Sequence, residues 1–427
     1  MPSKRKKAEQ AAFVWVWLPG RTEPVVAGKL TAEGRILVFN YGRSYLERKN
    51  AISLYDPELP LRAGALPLFP GLAMPSCLRD AAPDAWGRRV LLNRLLGERG
   101  AAVDTTRLDE LTYLLESGSN RTGALDFQRS ATEYVPRDLS EATLAGLMRS
   151  AEQVEKGIPL TGELAEALQH GTAIGGARPK ALIRGSGVQY VAKFSSSTDL
   201  YSVVKAEFVA MTLARHVGLD VAPVQLKRVA NRDVLLVERF DRVVAEAGWE
   251  RRALVSALTL LELDELMARY ASYEDLAEIV RHRFEEPRES LRELYARLTF
   301  NILCGNTDDH ARNHAAFWDG QLLRLTPAFD VCPQSRTGNE ASQAMLIAGE
   351  DRRSRITSCV AAAHHFQLTE AEALKISRHQ VDTIGAHWSE VAAEARLNRT
   401  DRKLLATRQF LNPYALEDSG IERPDLV

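Results

Sequence analysis

Apolar and polar residues alternate in the N-terminal quarter of the chain, which is the pattern of β-strands. Residues 13–18 and 35–40 are rich in aromatic and β-branched side chains, and a turn-forming stretch separates them. Residues 123–127 predict a further strand that returns to the same module. An apolar helical spacing begins near Pro83, which suits the first turn of a helix. These patterns predict a β-rich N-terminal subdomain over residues 11–130.

The middle of the chain mixes the two periodicities. Residues 139–168 have a helical composition that Gly157 and Pro159 interrupt, which predicts two short helices. A longer helix is predicted over residues 202–217. Strands are predicted over residues 181–184, 189–194, 221–229 and 233–240. We therefore predict a mixed α/β lobe over residues 131–249.

Helical spacing dominates the rest of the chain, with a short β-like stretch at residues 315–325. This predicts a mainly helical C-terminal lobe over residues 250–427. No internal repeat or heptad seam is present, so solenoids and coiled coils are excluded. The expected fold class is thus α/β, of the α+β type, with two lobes behind a β-rich N-terminal subdomain.

Composition narrows the functional classes. A chain of 427 residues with 45% hydrophobic content is too long for one small core and too apolar for disorder. Lys and Arg number 55 against 56 Asp and Glu, so no overall positive field indicates nucleic-acid binding. We interpret the basic residues 1–10 as a flexible, solvated tail. Four widely spaced cysteines without a CxxC pair fit a reducing compartment and argue against structural zinc.

The sequence also indicates where the protein works. No apolar run approaches the roughly 18 residues of a membrane helix. The basic start of the chain is not followed by a small-residue cleavage site, so it does not resemble a secretory signal. We predict a cytoplasmic protein without membrane contact.

The sharpest chemical signal follows an apolar helix predicted at residues 298–304. Asp308 and Asn313 have the D-x-x-x-x-N spacing of phosphotransferase catalytic loops, in which Asp accepts the proton of the attacking hydroxyl and Asn binds Mg²⁺. Asp330 follows a short β-like segment, where kinases keep a second metal ligand. Because Mg²⁺ prefers hard oxygen ligands and retains waters, these residues and ATP phosphates would suffice. The pattern predicts an Mg-ATP site.

Each of these residues also has a plain structural interpretation. Asp308 and Asn313 could be a helix N-cap and a turn residue, and Asp330 could begin a helix. Their order along the chain, after a strand lysine, favours the phosphotransfer site. His310 and His314 stand four residues apart but lack the glutamate of an HExxH zinc motif, so we interpret His310 as a residue that organises the loop.

The upstream lobe carries the residues expected to bind ATP. Lys193 lies on an alternating apolar strand, a poor place for an ammonium group unless it meets an anion such as phosphate. Glu207, in the following helix, is placed to pair with Lys193, and a solvent-facing position beside Lys205 is the alternative. The apolar strand that ends near Glu238 and Phe240 predicts a lining for adenine, with a plain core strand as the alternative.

A glycine-rich loop precedes the lysine strand. Residues 171–180 contain Gly175, Gly176 and Lys180, whereas neither a Walker A motif nor a GxGxxG motif is present. Glycines allow backbone N–H groups to approach phosphate oxygens, and the lysine adds positive charge. We predict that this loop cradles the phosphates of ATP.

With these motifs, the chain resembles the HipA family of bacterial toxin kinases over nearly its full length. The resemblance is carried by Lys193 and by residues 83–88, 123–125, 175–180, 237–242, 307–313 and 325–330. It implies a two-lobed fold similar to protein and phosphoinositide kinases, with ATP between the lobes. It also implies a serine/threonine protein kinase that acts as the toxin of a toxin–antitoxin pair. In that family, phosphorylation of aminoacyl-tRNA synthetases stalls translation and promotes growth arrest or persistence.

The resemblance also implies roles for single residues. By position, it implies that Asp308 is the catalytic base and that His310 belongs to the catalytic loop. It implies Asn313 and Asp330 as Mg²⁺ ligands and Lys193 as the ATP-phosphate contact. Glu238 and Phe240 would line the adenine pocket.

The chain departs from the family at Ala173, where the family carries a serine that it autophosphorylates to silence itself. Thr172 is the neighbouring candidate acceptor, but a displacement by one residue can greatly slow transfer. Self-inactivation in the family's form is therefore not expected.

Partners and alternatives follow from the same comparison. The chain shows no helix-turn-helix, so DNA contact is expected only through a separate HipB-like antitoxin. Two other functions remain open from the residues alone. A small-molecule phosphotransferase would share the Asp308, Asn313 and Asp330 arrangement, which does not select the acceptor. The other open function is a catalytically silent co-repressor that binds an antitoxin, and the intact catalytic-type residues argue against this function.

Overall fold

The computed structural model describes residues 11–96, 104–137, 143–156, 158, 176, 178–196, 199 and 201–426. The chain divides into two compact units. The first comprises Met1–Leu182, Asp241–Leu254 and Asp319–Gln321, and the second comprises Ile183–Phe240, Val255–Trp318 and Leu322–Val427. The predicted tail, residues 1–10, lies outside the described residues.

An antiparallel four-stranded sheet is the base of the first unit. Its strands are β1 (Ala11–Val16), β2 (Val25–Glu33), β3 (Ile36–Tyr41) and β4 (Leu125–Gln128), paired in the order β3-β2-β1-β4. Val14, Phe39 and Phe127 are fully buried in its core. The pairing of β4 with β1 confirms the predicted returning strand. At Gly28, a Cβ atom would overlap the Asn40 carbonyl oxygen, so glycine permits the close approach of β2 and β3.

Short helices and a hairpin complete the first unit. They are α1 (Arg43–Leu46), α2 (Ser76–Arg79), α3 (Ala85–Leu96), α4 (Glu110–Glu116), α5 (Leu144–Glu155) and the hairpin of Arg242–Ala245 with Gly248–Arg251. The α3 helix begins two residues after Pro83, so the prediction that this proline lies in the first turn is wrong. The α5 helix corresponds to the first of the two helices predicted at residues 139–168, and the second falls outside the described residues.

The second unit begins with another four-stranded sheet. Its strands are β5 (Lys180–Arg184), β6 (Gln189–Phe194), β7 (Val224–Val229) and β8 (Arg232–Glu238), in the order β5-β6-β8-β7, and the chain passes from the first unit to the second within β5. Ala230 and Asn231, both at positive φ, form the two-residue turn between β7 and β8. The predicted helix over residues 202–217 is present as α6 (Val203–His216), which packs on β7 and β8.

Helices form most of the remaining second unit, as predicted. They are α7 (Ala257–Leu260), α8 (Tyr273–Arg283), α9 (Pro287–Cys304), α10 (Ile356–Ala361), α11 (Glu370–Glu394), α12 (Arg399–Leu404) and α13 (Pro413–Leu416). The β-like stretch predicted at residues 315–325 is a hairpin of Ala315–Trp318 and Leu323–Leu325, which we call the 315–325 hairpin. The strand Leu254–Ser256 lies beside Ala315–Trp318 in the same sheet. None of the helices in the described part of the chain could cross a membrane.

Candidate active site

A left-handed glycine begins the catalytic-type loop. Helix α9 ends at Cys304, and Gly305 caps it at φ 75°. A Cβ atom on Gly305 would lie 2.8 Å from the carbonyl oxygen of Gln409, so both the backbone angle and the space favour glycine. The amide of Asn306 then donates to the Asn301 carbonyl at 2.8 Å, and the two asparagine side chains join at 3.0 Å. The loop therefore leaves the helix in one defined direction.

Three residues predicted for the chemistry lie together on this loop. The side chain of Asp308 is exposed. The backbone carbonyl oxygen of Asp308 accepts a 3.1 Å hydrogen bond from Asn313 Nδ2. The backbone N–H of Asn313 donates to the His310 carbonyl at 2.8 Å, and the N–H of His310 donates to the Asp308 carbonyl at 3.0 Å. These bonds hold Asp308 and Asn313 at a fixed separation. Since Asn313 uses its amide nitrogen to brace the loop, its Oδ1 is available as a hard oxygen ligand.

A buried network behind the loop was not predicted. Asp309 is 1% exposed and accepts hydrogen bonds from the Tyr273 hydroxyl and, at 2.9 Å, from His314 Nε2. Burial, reinforced by Asp309, raises the pKa of Tyr273, which keeps its hydroxyl a donor. His314 therefore takes part in this network through its side chain, whereas His310 contributes to the loop through its backbone N–H and carbonyl. In the sequence, the only signal for a buried role of His314 is its position directly before an apolar strand.

The 315–325 hairpin places Asp330 at the same end of the hairpin as Asn313. In an antiparallel pair, the start of one strand lies beside the end of the other, and the N–H of Thr326 donates to the Ala315 carbonyl at 3.0 Å. Asn313 precedes the first strand and Asp330 follows the second, so both belong to one end of the hairpin. Asn313 and Phe329 line the same small cavity. The carboxylate of Asp330 and the amide oxygen of Asn313 suit Mg²⁺ by their chemistry.

The backbone at Asp330 is held in an unusual conformation. Asp330 has φ 58°, in the left-handed region that is uncommon for residues other than glycine. Ala328, two residues earlier, is bonded to the segment that precedes β7. Its carbonyl accepts from the Ala222 N–H at 2.9 Å, and its N–H donates to the Asp220 carbonyl at 2.8 Å. Such conformations cost free energy and persist where the surroundings enforce them, often at functional sites.

Lys193 joins the α/β part of the second unit to Asp330. On strand β6, its Nζ lies 2.5 Å from Glu207 Oε1, which is the ion pair predicted from the sequence, and it also contacts Asp330 Oδ1. The Glu207 side chain is 3% exposed, whereas that of Asp330 is 41% exposed. Burial alone lowers the pKa of Lys193, but Asp330 and Glu207 outweigh it and hold this pKa above its ordinary value. The ammonium is therefore charged, with its outer partner open to solvent.

Aromatic rings connect the end of β8 to the same region. Glu238 is the last residue of β8 and is half-buried. The centre of the Phe240 ring lies 5.6 Å from the centre of the Phe329 ring, and Phe329 directly precedes Asp330 in the sequence. It lies 5.9 Å from the centre of the Phe317 ring on the hairpin. The structure thus places Phe240 beside the segment that carries Asp330, and Glu238 two residues before it.

The glycine-rich loop is described only in part. Gly175, Thr172 and Ala173 lie outside the described residues, whereas Gly176 has φ 107° and Lys180 is 4% exposed. Within the first unit, the N–H of Gly176 donates to Asp84 Oδ2 at 2.5 Å, and its carbonyl accepts from Trp86 N–H at 3.3 Å. Trp86, which is fully buried, also donates to the Lys180 carbonyl at 3.2 Å. Asp84 and Trp86, from the motif at residues 83–88, therefore anchor the end of this loop.

Comparison with solved structures gives the class of protein. The chain is similar to a chain of the HipA, HipB and operator DNA complex of Shewanella oneidensis, with a TM-score of 0.66 and 18% identity, over 92% of this chain and 94% of that one. The protein therefore has an α/β kinase-like fold, as predicted.

Family models and relatives then give the family. The HipA N-terminal domain matches residues 16–128, and the HipA-like C-terminal domain matches residues 172–388, so the chain belongs to the HipA family. The Sinorhizobium fredii protein Y4mE, whose name proposes a kinase, is 26% identical over 96% of this chain and 97% of its own length. The serine/threonine-protein kinase toxin HipA of Shewanella oneidensis is 25% identical over 31% of this chain and 34% of its own length.

Proposed function

We propose that this protein is an Mg-ATP-dependent serine/threonine protein kinase and the toxin of a toxin–antitoxin pair. The observation that carries the proposal is the position of Lys193, whose ammonium is held between buried Glu207 and solvent-facing Asp330. A lysine fixed beside a metal-type aspartate is the arrangement by which kinases hold ATP phosphates next to Mg²⁺. Membership of the HipA family supports the same function.

Each residue of the site has a proposed role. Asp308, exposed at the start of the braced loop, accepts the proton of the acceptor hydroxyl, and His310 belongs to the same loop. Asn313 and Asp330 would hold Mg²⁺, which when bound neutralises the developing charge on the transferred phosphoryl group. Lys193 contacts the phosphates, and Glu207 keeps it in place. Rate acceleration then comes mainly from positioning and charge neutralisation by this chain's residues.

Further residues are proposed to bind the nucleotide. We propose that Glu238 and the Phe240 ring line the adenine pocket, since Phe240 is fixed by Phe317 and Phe329. Gly175, Gly176 and Lys180 would approach the phosphates, because glycine backbone amides and an ammonium suit anions. Asp84 and Trp86 support this assignment by anchoring the Gly176 and Lys180 backbone.

The partners are proposed from the family. The Shewanella oneidensis structure contains HipA, HipB and operator DNA, which supports a HipB-like antitoxin for this chain. We propose that this chain contacts DNA only through that antitoxin. We propose an aminoacyl-tRNA synthetase or another translation component as the protein substrate, with growth arrest as the result, in the cytoplasm. Thr172 is the proposed site of any self-phosphorylation at the family position, which Ala173 occupies here.

Transfer of labelled γ-phosphate from Mg-ATP into a bacterial lysate tests the proposal. We expect a labelled protein with the native chain, no label with Asp308→Asn, and nucleotide binding within about twofold of native for that variant. The matched control is Asp56→Asn, since Asp56 is an exposed aspartate of the first unit. Label on a metabolite instead of a protein would favour a small-molecule phosphotransferase. ATP binding without transfer, or equal transfer by Asp308→Asn, would contradict the proposal.

A further inference from the structure

The segment after Asp330 contains an arginine, Arg336, whose guanidinium group has no hydrogen-bond partner among the described residues. All three guanidinium nitrogens of Arg336 are sealed from solvent, and none has a hydrogen-bond partner among the described residues. Burial lowers the pKa of Arg336, which Tyr414 nearby only partly offsets. A guanidinium group carries five N–H donors and stays charged in proteins, so leaving all of them unpaired costs free energy. An acceptor for Arg336 is therefore expected in the working protein.

Three carboxylates in the region of Tyr414 pair with other arginines. Arg355, whose guanidinium lies 5.5 Å from the centre of the Tyr414 ring, pairs with Asp418 at 2.8 Å and with Glu417 at 3.2 Å. Arg353 pairs with Asp351 at 2.8 Å. The surroundings of Tyr414 are thus rich in guanidinium groups, and their acidic partners serve Arg353 and Arg355. This environment suits a further anion with more than one negative charge.

Two exposed hydroxyl groups flank Arg336 directly. Ser335 and Thr337 are both exposed, and residues 335–340 contain neither helix nor strand. The ends of this segment are fixed, because the Tyr201 hydroxyl donates to the Pro333 carbonyl at 2.7 Å and the N–H of Ser354 donates to the Ala341 carbonyl at 2.9 Å. Arg336 lies between these anchored ends, and the two residues that carry the hydroxyl groups are its direct neighbours along the chain. A phosphate on either hydroxyl would be tethered next to Arg336.

We propose that Arg336 anchors a phosphate site, and that the phosphate it takes is a monoester formed on Thr337 or Ser335. This inference rests on the proposed kinase function. In the step, the hydroxyl oxygen forms a bond to the γ-phosphorus of ATP while the bond from that phosphorus to the β,γ-bridging oxygen breaks. ADP leaves, and the hydroxyl proton passes to the Asp308 carboxylate. The new phosphate carries nearly two negative charges and accepts paired N–H bonds from a guanidinium group.

The consequence is a change of order in the segment that follows the metal-type aspartate. Before phosphorylation, the guanidinium group of Arg336 has no acceptor among the described residues. Afterwards the charge-assisted bonds fix the segment between its two anchored ends, Pro333 and Ala341. Phosphorylation near an arginine orders kinase loops by this same physical route. The state of the segment would therefore depend on the ATP supply of the cell.

The site itself is tested without any transfer reaction. Melting of the full chain is compared in inorganic phosphate and in chloride of equal ionic strength, for the native protein, for Arg336→Gln and for Arg228→Gln, an exposed arginine on β7. We expect phosphate to raise the melting temperature of the native chain and of Arg228→Gln by roughly 2–4 °C, and not that of Arg336→Gln. In chloride, Arg336→Gln should melt no lower than the native chain, because it loses an unpaired buried charge. An equal response to phosphate in all three would overturn the site.

Peptide mapping tests the source of the phosphate. The native chain, Asp308→Asn and the double variant Ser335→Ala/Thr337→Ala are incubated with Mg-ATP and mapped by mass spectrometry. We expect phosphate within residues 335–337 of the native chain alone. A native chain that labels other proteins but not this segment leaves the proposed function standing and refutes phosphorylation here. A chain that transfers no phosphate at all refutes the proposed function and the self-made monoester together, while the melting experiment still decides whether Arg336 binds phosphate.

Discussion

Removing the ammonium of Lys193 gives the most direct test of how the site is held together. In Lys193→Met the side chain keeps most of its length but loses its charge, so Glu207 and Asp330 lose their common partner. The Glu207 side chain is only 3% exposed, so its carboxylate becomes more expensive to keep buried and charged once the Lys193 ammonium is gone. The side chain of Asp330 is 41% exposed, so water can hydrate it at little cost. Most of the loss should therefore come from Glu207.

The size of the effect follows from this asymmetry. Breaking a buried ion pair by removing one partner typically costs about 3–5 kcal/mol, and we expect about 3 kcal/mol for Lys193→Met. Glu207→Gln should cost less, about 1–2 kcal/mol, because Lys193 keeps Asp330 as a partner. In the double variant, position 207 carries no buried carboxylate that has lost the ammonium. It should therefore recover about 2 kcal/mol relative to the sum of the single variants.

Two measurements check these values. Urea unfolding gives the free energies for the double-mutant cycle, and hydrogen exchange of α6 reports the loss locally, since this helix carries Glu207. Lys227→Met, an exposed lysine on β7 of the same sheet, is the control and should stay within about 0.5 kcal/mol of the native chain. ATP should bind Lys193→Met at least about tenfold more weakly, a difference of about 1.4 kcal/mol. A Lys193→Met chain as stable as the native one would refute the buried pairing.

Three further results are expected. Gly305→Ala should lower the free energy of unfolding by about 2 kcal/mol or more in urea, because alanine is strained at φ 75° and would press on the Gln409 carbonyl; an unchanged midpoint would contradict this. His314→Leu should lower the free energy of unfolding by about 1–3 kcal/mol and should reduce kcat with little change in KM, since buried Asp309 loses a hydrogen-bond donor. A normal kcat would show that this network does not position the loop. The four buried cysteines should resist thiol reagents at pH 8 in the folded chain, because they lie in the core and because burial raises the pKa of Cys77, of Cys359 and, to about 12, of Cys304; rapid labelling would refute their burial.

Local sequence patterns predicted the elements well where one periodicity dominated. The helix over residues 202–217, the hairpin at 315–325 and the returning strand near 125 all correspond to observed elements. The pair of Lys193 with Glu207 was also accessible, because a lysine on an apolar strand demands an anion and the next helix offers one. These predictions depend on spacing along the chain, which the sequence contains in full.

Other features depend on contacts between distant segments. The network of Asp309, His314 and Tyr273 joins residues 36 and 41 positions apart in sequence, and no local pattern indicates such a contact. For the same reason, the side-chain bonds of His314 to Asp309 and Tyr273 could not be predicted. The anchoring of Gly176 by Asp84 spans 92 positions. The residues 83–88 could be recognised as a motif, but their contact with the glycine-rich loop could not.

What the sequence alone determined is the chemistry available to this protein: an aspartate and an asparagine five positions apart, a later aspartate, a lysine on a strand, and membership of a family that shares them. Only the tertiary structure decided which charges meet. It placed Asp330 against Lys193 across 137 positions, and it buried the guanidinium nitrogens of Arg336 without an acceptor among the described residues. The physical reason is that burial and the strength of a charge interaction depend on distance and dielectric environment in space, and neither is encoded in the spacing of residues along the chain.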